Sequence, residues 1–238
     1  MGRLMACFGA FAGIVAGLSL AASEPVVIGT EAPFPAYTYV DDQGTITGHD
    51  RDLMDEICSR LALRCAWQNV HFDELIPGVM SGRFDIVIGG IAVTEERRDL
   101  VDFTQSISGS DPEEWYLGPP EALPPAEALI AVQSGTVHET HLRKLGYRTI
   151  TFPTEPEVLQ ALLDGRADLA LGPFSSRSDM QDFADANGLQ FLYSEMIPDD
   201  GIAMAVCKGN TQLLDSLNAT LDALRLDGTL DRLEDRWF

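Results

Sequence analysis

Basic residues are scarce in this chain of 238 residues: Lys and Arg number 16 against 37 Asp and Glu, for a formal net charge of −21. A field of that sign repels phosphate backbones and anionic lipid surfaces, which excludes nucleic acid as a partner and favours a soluble monomer. It also fails to attract anionic small molecules, so an anion must be captured by a local positive group. Each arginine near a cleft therefore carries weight. Other absences narrow the chemistry further. The sequence has no glycine-rich phosphate loop, no G-x-S-x-G nucleophile turn and no C-x-x-C pair. His138-Glu-Thr-His141 falls one residue short of the H-E-x-x-H zinc pattern, so neither a metal nor a cofactor is expected. Asn218-Ala-Thr220 fits a glycosylation pattern but lies inside a helical repeat, where it is noise.

Only one long apolar run occurs. Met1-Gly2-Arg3, the uncharged stretch from Leu4 to Leu20 and then Ala21-Ala22-Ser23 have the parts of a secretory signal in order. Residues 1–22 are expected to be a cleaved signal peptide that sends the protein to the periplasm. Cys7 lies too early for a lipoprotein attachment site. Without that segment Cys58, Cys65 and Cys207 remain, so at most one intramolecular disulfide can form. Pairing Cys58 with Cys65 requires the helix carrying Cys58 to end near residues 61–63, because seven helical residues span roughly 10 Å, beyond disulfide reach. Two buried thiols are the alternative. Cys207, in an apolar run, is expected to be buried.

Short apolar runs alternate with helical periodicity, the pattern of an α/β chain with largely parallel sheets. Strands are expected at 26–30, 65–69, 85–91, 128–133, 148–152 and 168–171. Helices are expected at 48–63, 72–82, from about 138, at 155–165 and in two parts of 211–238 separated by Gly228. Pro and Gly accumulate between Gly109 and Pro125, which reads as a crossing between two lobes, and 197–206 reads as the return. The first lobe is then 23–108 with 198–238, and the second 109–197.

The densest signal is Ile88-Gly-Gly-Ile-Ala-Val-Thr94-Glu-Glu-Arg97-Arg-Asp-Leu-Val-Asp-Phe103-Thr104. Glycines admit close backbone approach, Thr94 can cap the next helical turn, and a guanidinium at Arg97 can hold a carboxylate by two parallel hydrogen bonds. A surface arginine paired with Glu96 or Asp99 is the plainer reading. The segment closely resembles the S-G-M-x-I-T-x-E-R-x-x-x-V-D-F-S/T signature of the extracellular solute-binding proteins of polar amino-acid ABC transporters. Four further segments match in order: Gly29-Thr-Glu-Ala-Pro-Phe34-Pro-Ala-Tyr37, Gly48-His-Asp-Arg-Asp52-Leu, Val132-Gln-Ser-Gly135-Thr136, and the ending Gly228-Thr-Leu-Asp-Arg-Leu-Glu-Asp-Arg-Trp237-Phe238. The Cys58–Cys65 spacing also occurs in family members that carry a disulfide there.

The resemblance implies a two-lobed periplasmic-binding-protein-like fold of type II, with a ligand cleft between the lobes and an ABC permease as partner. By it, Phe34 stacks on the ligand, Glu31 reads a ligand side chain, and Gly90 and Ala92 line the first-lobe wall. Arg97 holds a ligand carboxylate, and backbone N–H groups at Thr136 and Val137, at a helix start, hold it from the second lobe. The amine half of the family site departs from the pattern. A serine is usual where Ala92 stands, and an aspartate five residues after Asp168, where this chain has Pro173. Either Glu31, Asp179 or Asp200 substitutes as acceptor, or the ligand is a carboxylate without a free α-amine. Phe174 and Ser175 are then candidates for the second-lobe wall. The implied function is capture of a small carboxylate solute without catalysis. The alternative is a lyase like the periplasmic cyclohexadienyl dehydratases, which share this fold, with Glu31 as the nominated acid or base.

Overall fold

The computed structural model describes residues 24–109 and 111–238; the expected signal segment lies outside them. The chain opens with β1 (Val26–Thr30), a small antiparallel pair β2 (Tyr39–Val40) and β3 (Ile46–Thr47), helix α1 (His49–Arg60) and β4 (Cys65–Asn69). A 3-10 turn at Phe72–Glu74 runs into α2 (Leu75–Met80), followed by β5 (Ile86–Val87), the one-turn α3 (Glu95–Arg98) and β6 (Val101–Phe103). It then crosses to β7 (Glu113–Gly118), β8 (Leu129–Gln133), α4 (Val137–Leu145), β9 (Arg148–Phe152), α5 (Glu155–Leu163), β10 (Leu169–Leu171), α6 (Ser178–Asn187) and β11 (Gln190–Met196). The return brings β12 (Ala205–Cys207), α7 (Thr211–Leu226) and α8 (Thr229–Trp237).

Two five-stranded sheets result, in the orders β4-β1-β5-β12-β6 and β11-β7-β10-β8-β9. In the first, β4, β1 and β5 are parallel and the returning β12 is antiparallel to β5 and β6. In the second, β10, β8 and β9 are parallel, with β7 and β11 antiparallel at one side. Sheets covered on both faces need apolar residues at every strand position, and strand alternation then divides them between two layers. Ile86 joins Leu53, Met54, Ile57, Leu217 and Leu221 beneath α1 and α7, whereas Val87 joins Leu75, Val79 and Phe84 on the α2 side. In the second sheet, small Ala131 and Ala170 admit α5 and α6, while Ile130, Val132, Leu169 and Leu171 meet Leu142 of α4.

The two crossings run side by side: Ile107 N–H donates to Ile202 O at 2.8 Å, and Ile202 N–H to Ser108 O at 3.0 Å. Several expectations need correction. The 109–125 segment is not only a crossing, because Trp115, Tyr116 and Leu117 form β7 inside the second sheet. Regular pairing in the strand expected at 85–91 covers only Ile86–Val87, because Gly89 and Gly90 take φ of 142° and 63° and turn the backbone out of the sheet. Cys58 and Cys65 are bonded, with α1 ending at Arg60 and Cα atoms 6.4 Å apart. Cys207 is free, and half-buried rather than buried.

Candidate functional site

Arg97 stands on α3, which exists because Thr94, in extended conformation, accepts a hydrogen bond from Arg97 N–H at 3.2 Å. The residue is 9% exposed, and its side chain bridges the two lobes. Nη1 donates to Ala92 O at 2.8 Å and Nη2 to Gly135 O of the second lobe at 3.0 Å. The guanidinium also lies 5.6 Å from the Phe72 ring centre. Burial lowers its pKa to about 10, with Asp199 and Glu96 opposing, so it remains a cation at neutral pH. A guanidinium presents five N–H donors, and these two bonds use part of that capacity.

Facing it is the start of α4. Thr136 is the N-cap: its hydroxyl accepts from Glu139 N–H at 3.2 Å and donates to Gln133 O at 2.8 Å. Glu139 reaches back to Gly135 N–H at 2.7 Å. Val137 is the first helical residue, so Thr136 and Val137 stand at the positive end of a nine-residue helix beside Arg97.

Glu31 follows β1 and is buried. Its carboxylate accepts Gln133 Nε2 from the other lobe at 2.7 and 2.8 Å, and that amide also donates to Pro153 O at 3.1 Å. Burial raises the Glu31 pKa to about 7, more than the Gln133 bond lowers it. Phe34 stacks on Tyr37, with centroids 4.8 Å apart and planes 12° apart. Gly90 is needed by that ring, since a Cβ there would stand 2.7 Å from Phe34 Cε1.

Ala92 is buried and contributes its carbonyl to Arg97, not a side-chain acceptor. Pro173 lines a cavity of about 10 Å³ with Gln133, Thr136, His138, Glu155 and Phe174, room for about one water. Phe174 is fully buried in the second-lobe core, which corrects its expected place on the cleft wall, although one edge reaches that cavity; Ser175 is half-buried. Asp168 is used in caring for backbone, accepting Leu129 N–H at 2.7 Å. Asp200 pairs with Arg98 at 3.2 Å on the surface, far too exposed to hold a buried ammonium. His138 lies 3.5 Å from Glu114, His141 lies 3.3 Å from Glu195, and no cluster able to hold a metal occurs among the described residues.

Two charged residues escaped the sequence reading. Arg177, in the loop before α6, donates from Nη1 to both Glu155 oxygens at 2.9 and 2.7 Å. It also binds Asp179 through Nε at 3.1 Å and Nη2 at 2.7 Å. Asp179 is therefore engaged on the outer side of this pair. Burial raises the Glu155 pKa while Arg177 opposes the rise. Glu155 opens α5 directly after Thr154, a position that reads in sequence as an ordinary capping box.

Comparison with known proteins identifies the family and the fold. The L-arginine-binding protein of Pseudomonas aeruginosa is 27% identical, over 99% of this chain and 96% of its own length. An ancestral arginine-binding protein, solved with arginine bound, superposes with a TM-score of 0.80 at 27% identity, covering 90% of this chain and 98% of its own. An ancestral amino acid-binding protein that is a precursor of cyclohexadienyl dehydratase superposes with a TM-score of 0.74 at 25% identity, covering 90% and 95%. A family model matches residues 26–238, nearly the whole described chain, and the protein belongs to the bacterial extracellular solute-binding proteins, family 3.

Proposed function

We propose that this chain is the extracytoplasmic receptor of an ABC importer, which captures a small carboxylate-bearing solute between its lobes and presents the closed form to a permease. It works in the periplasm as a monomer, and no bond is made or broken. The observation that carries the reading is Arg97. The hydrogen bonds of this buried cation go to neutral carbonyls, while Asp199 and Glu96 act on it electrostatically, so a ligand carboxylate could add charge-assisted bonds to the guanidinium. The start of α4, whose first N–H groups have no partner within the helix, adjoins the Gly135 carbonyl that Arg97 reaches. Closure is favoured because Arg97, Glu31 and the ion pair of Lys144 with Glu96 all reach across the lobes.

Arg97→Ala removes the clamp and is expected to cost roughly 2 to 5 kcal/mol of binding, since it leaves a desolvated carboxylate unpaired. Calorimetric titration of the solute identified by screening measures this, with Arg98→Ala as control because Arg98 serves a surface ion pair. Affinity retained within about threefold, under 1 kcal/mol, overturns the assignment. A second reading, a lyase on the same fold, has one observation in favour: Glu31 titrates near neutrality within the cleft, as a general acid or base requires. Incubating the protein with carboxylated cyclohexadienols and looking for dehydrated, aromatised product tests it, and Glu31→Gln must abolish any turnover.

A further inference from the structure

The Arg177 guanidinium has the surroundings of a bound ligand. Its Cζ lies 5.4 Å from the centre of the Phe34 ring, which belongs to the other lobe. Glu155 grips it through two oxygens, and Asp179 grips it from the outside. The Arg177 and Glu155 side chains are 11% and 10% exposed, so this is an enclosed pair and not a loose surface bridge. A flat cation on an aromatic face, held by two carboxylates, is the arrangement by which proteins recognise guanidinium and ammonium groups. Here the cation comes from the chain itself.

Position makes the arrangement matter. Glu155 shares the small inner cavity with Gln133 and Thr136, which flank the segment whose Gly135 carbonyl receives Arg97. On its other side Glu155 lines an open pocket of about 260 Å³ with Pro33, Pro35, Leu159, Arg177 and Asp179. Glu155 thus borders both spaces, one beside the segment that meets Arg97 and the other open to solvent, and the distal end of a solute held at Arg97 would approach it from the first. We infer that Arg177 fills, as an internal cation, a subsite that would otherwise take the positive end of a ligand, and so sets the specificity of the cleft against cationic solutes. The inference deepens the solute-binding reading above and rests on it.

L-arginine and L-citrulline test it, because they differ mainly in the charge of the distal group, and methylguanidine tests the subsite with no carboxylate involved. Wild type is expected to bind L-arginine no better than L-citrulline. Arg177→Met, which keeps an apolar stem while freeing Glu155, Asp179 and the Phe34 face, is expected to favour L-arginine by at least tenfold. Arg177→Met combined with Glu155→Gln should return the two to parity. Methylguanidine at millimolar concentration should raise the melting temperature of Arg177→Met alone. Should Arg177→Met not fold, Arg177→Gln retains a donor toward Glu155 and carries the same expectation. The inference is overturned if wild type already prefers L-arginine tenfold, or if methylguanidine shifts wild type and the folded variant equally. A methylguanidine shift confined to the variant upholds the role of Arg177 even where neither amino acid binds any form, since both carry an α-ammonium for which Ala92 and Pro173 offer no side-chain acceptor.

Discussion

Glu31 joins the two lobes through a carboxyl group whose charge depends on pH near neutrality. Burial lifts its pKa from 4.5 to about 7, so the folded chain binds more protons than the unfolded chain between those values. The stability contributed by this group is fully present below the unfolded pKa and is lost as pH rises through about 7. The loss is at most roughly 3 kcal/mol. Urea unfolding at pH 5, 6, 7 and 8 should show wild type losing stability relative to Glu31→Gln across that window, and a pH-independent difference between them would refute the assignment. Glu31 itself was legible in the sequence, as an acid just after the first strand. Its partner was not, because Gln133 stands 102 residues away and meets it only when the lobes close. Arg177 was hidden for the same reason: nothing local distinguishes it from a surface arginine, and its importance comes from Phe34 on the other lobe.

Elements were easier to read than pairings. The helix of residues 49–60, the strands at 26–30, 65–69 and 148–152 and the Gly228 break between α7 and α8 follow from periodicity and punctuation. β7 was obscured because its run of β-formers is short and prolines crowd both ends, at Pro112 and Pro119. α6 was missed because its charged surface leaves only Met180 and Ala184 buried. At this scale the disulfide gives a prediction. It closes a loop between α1 and β4, and beyond Arg60 the chain turns through Ala62 in a left-handed conformation at φ 52°. Replacing both Cys58 and Cys65 by Ser is expected to lower stability by roughly 2 to 3 kcal/mol, measured by urea unfolding. Peptide mass spectrometry without reduction should find those two residues linked and Cys207 free. A linkage through Cys207 would contradict its place in β12, on the returning strand.

For the whole molecule, the two-lobed plan was legible because five motifs stand in a fixed order along the chain, and the two sheets reproduce that plan with two adjacent crossings. What the sequence left open was the ligand, and the geometry narrows it. Ala92 and Pro173 offer no side-chain acceptor, Asp200 is spent on Arg98, Asp179 and Glu155 are spent on Arg177, and Glu31 holds Gln133. An α-ammonium buried among them would lack a partner and cost several kcal/mol. The carboxylate clamp proposed at Arg97 has no such deficit. Most standard α-amino acids are therefore expected to bind weakly, and carboxylates whose amine is absent, substituted or distant to bind better. A thermal-shift screen separates the classes, because a ligand at 100 times its dissociation constant adds about 2.7 kcal/mol, enough to move the melting point by a few degrees. If ordinary α-amino acids give the largest shifts, an acidic group must be released to receive the ammonium, and Glu31→Gln and Glu155→Gln, measured in turn against the winning amino acid, would show which one.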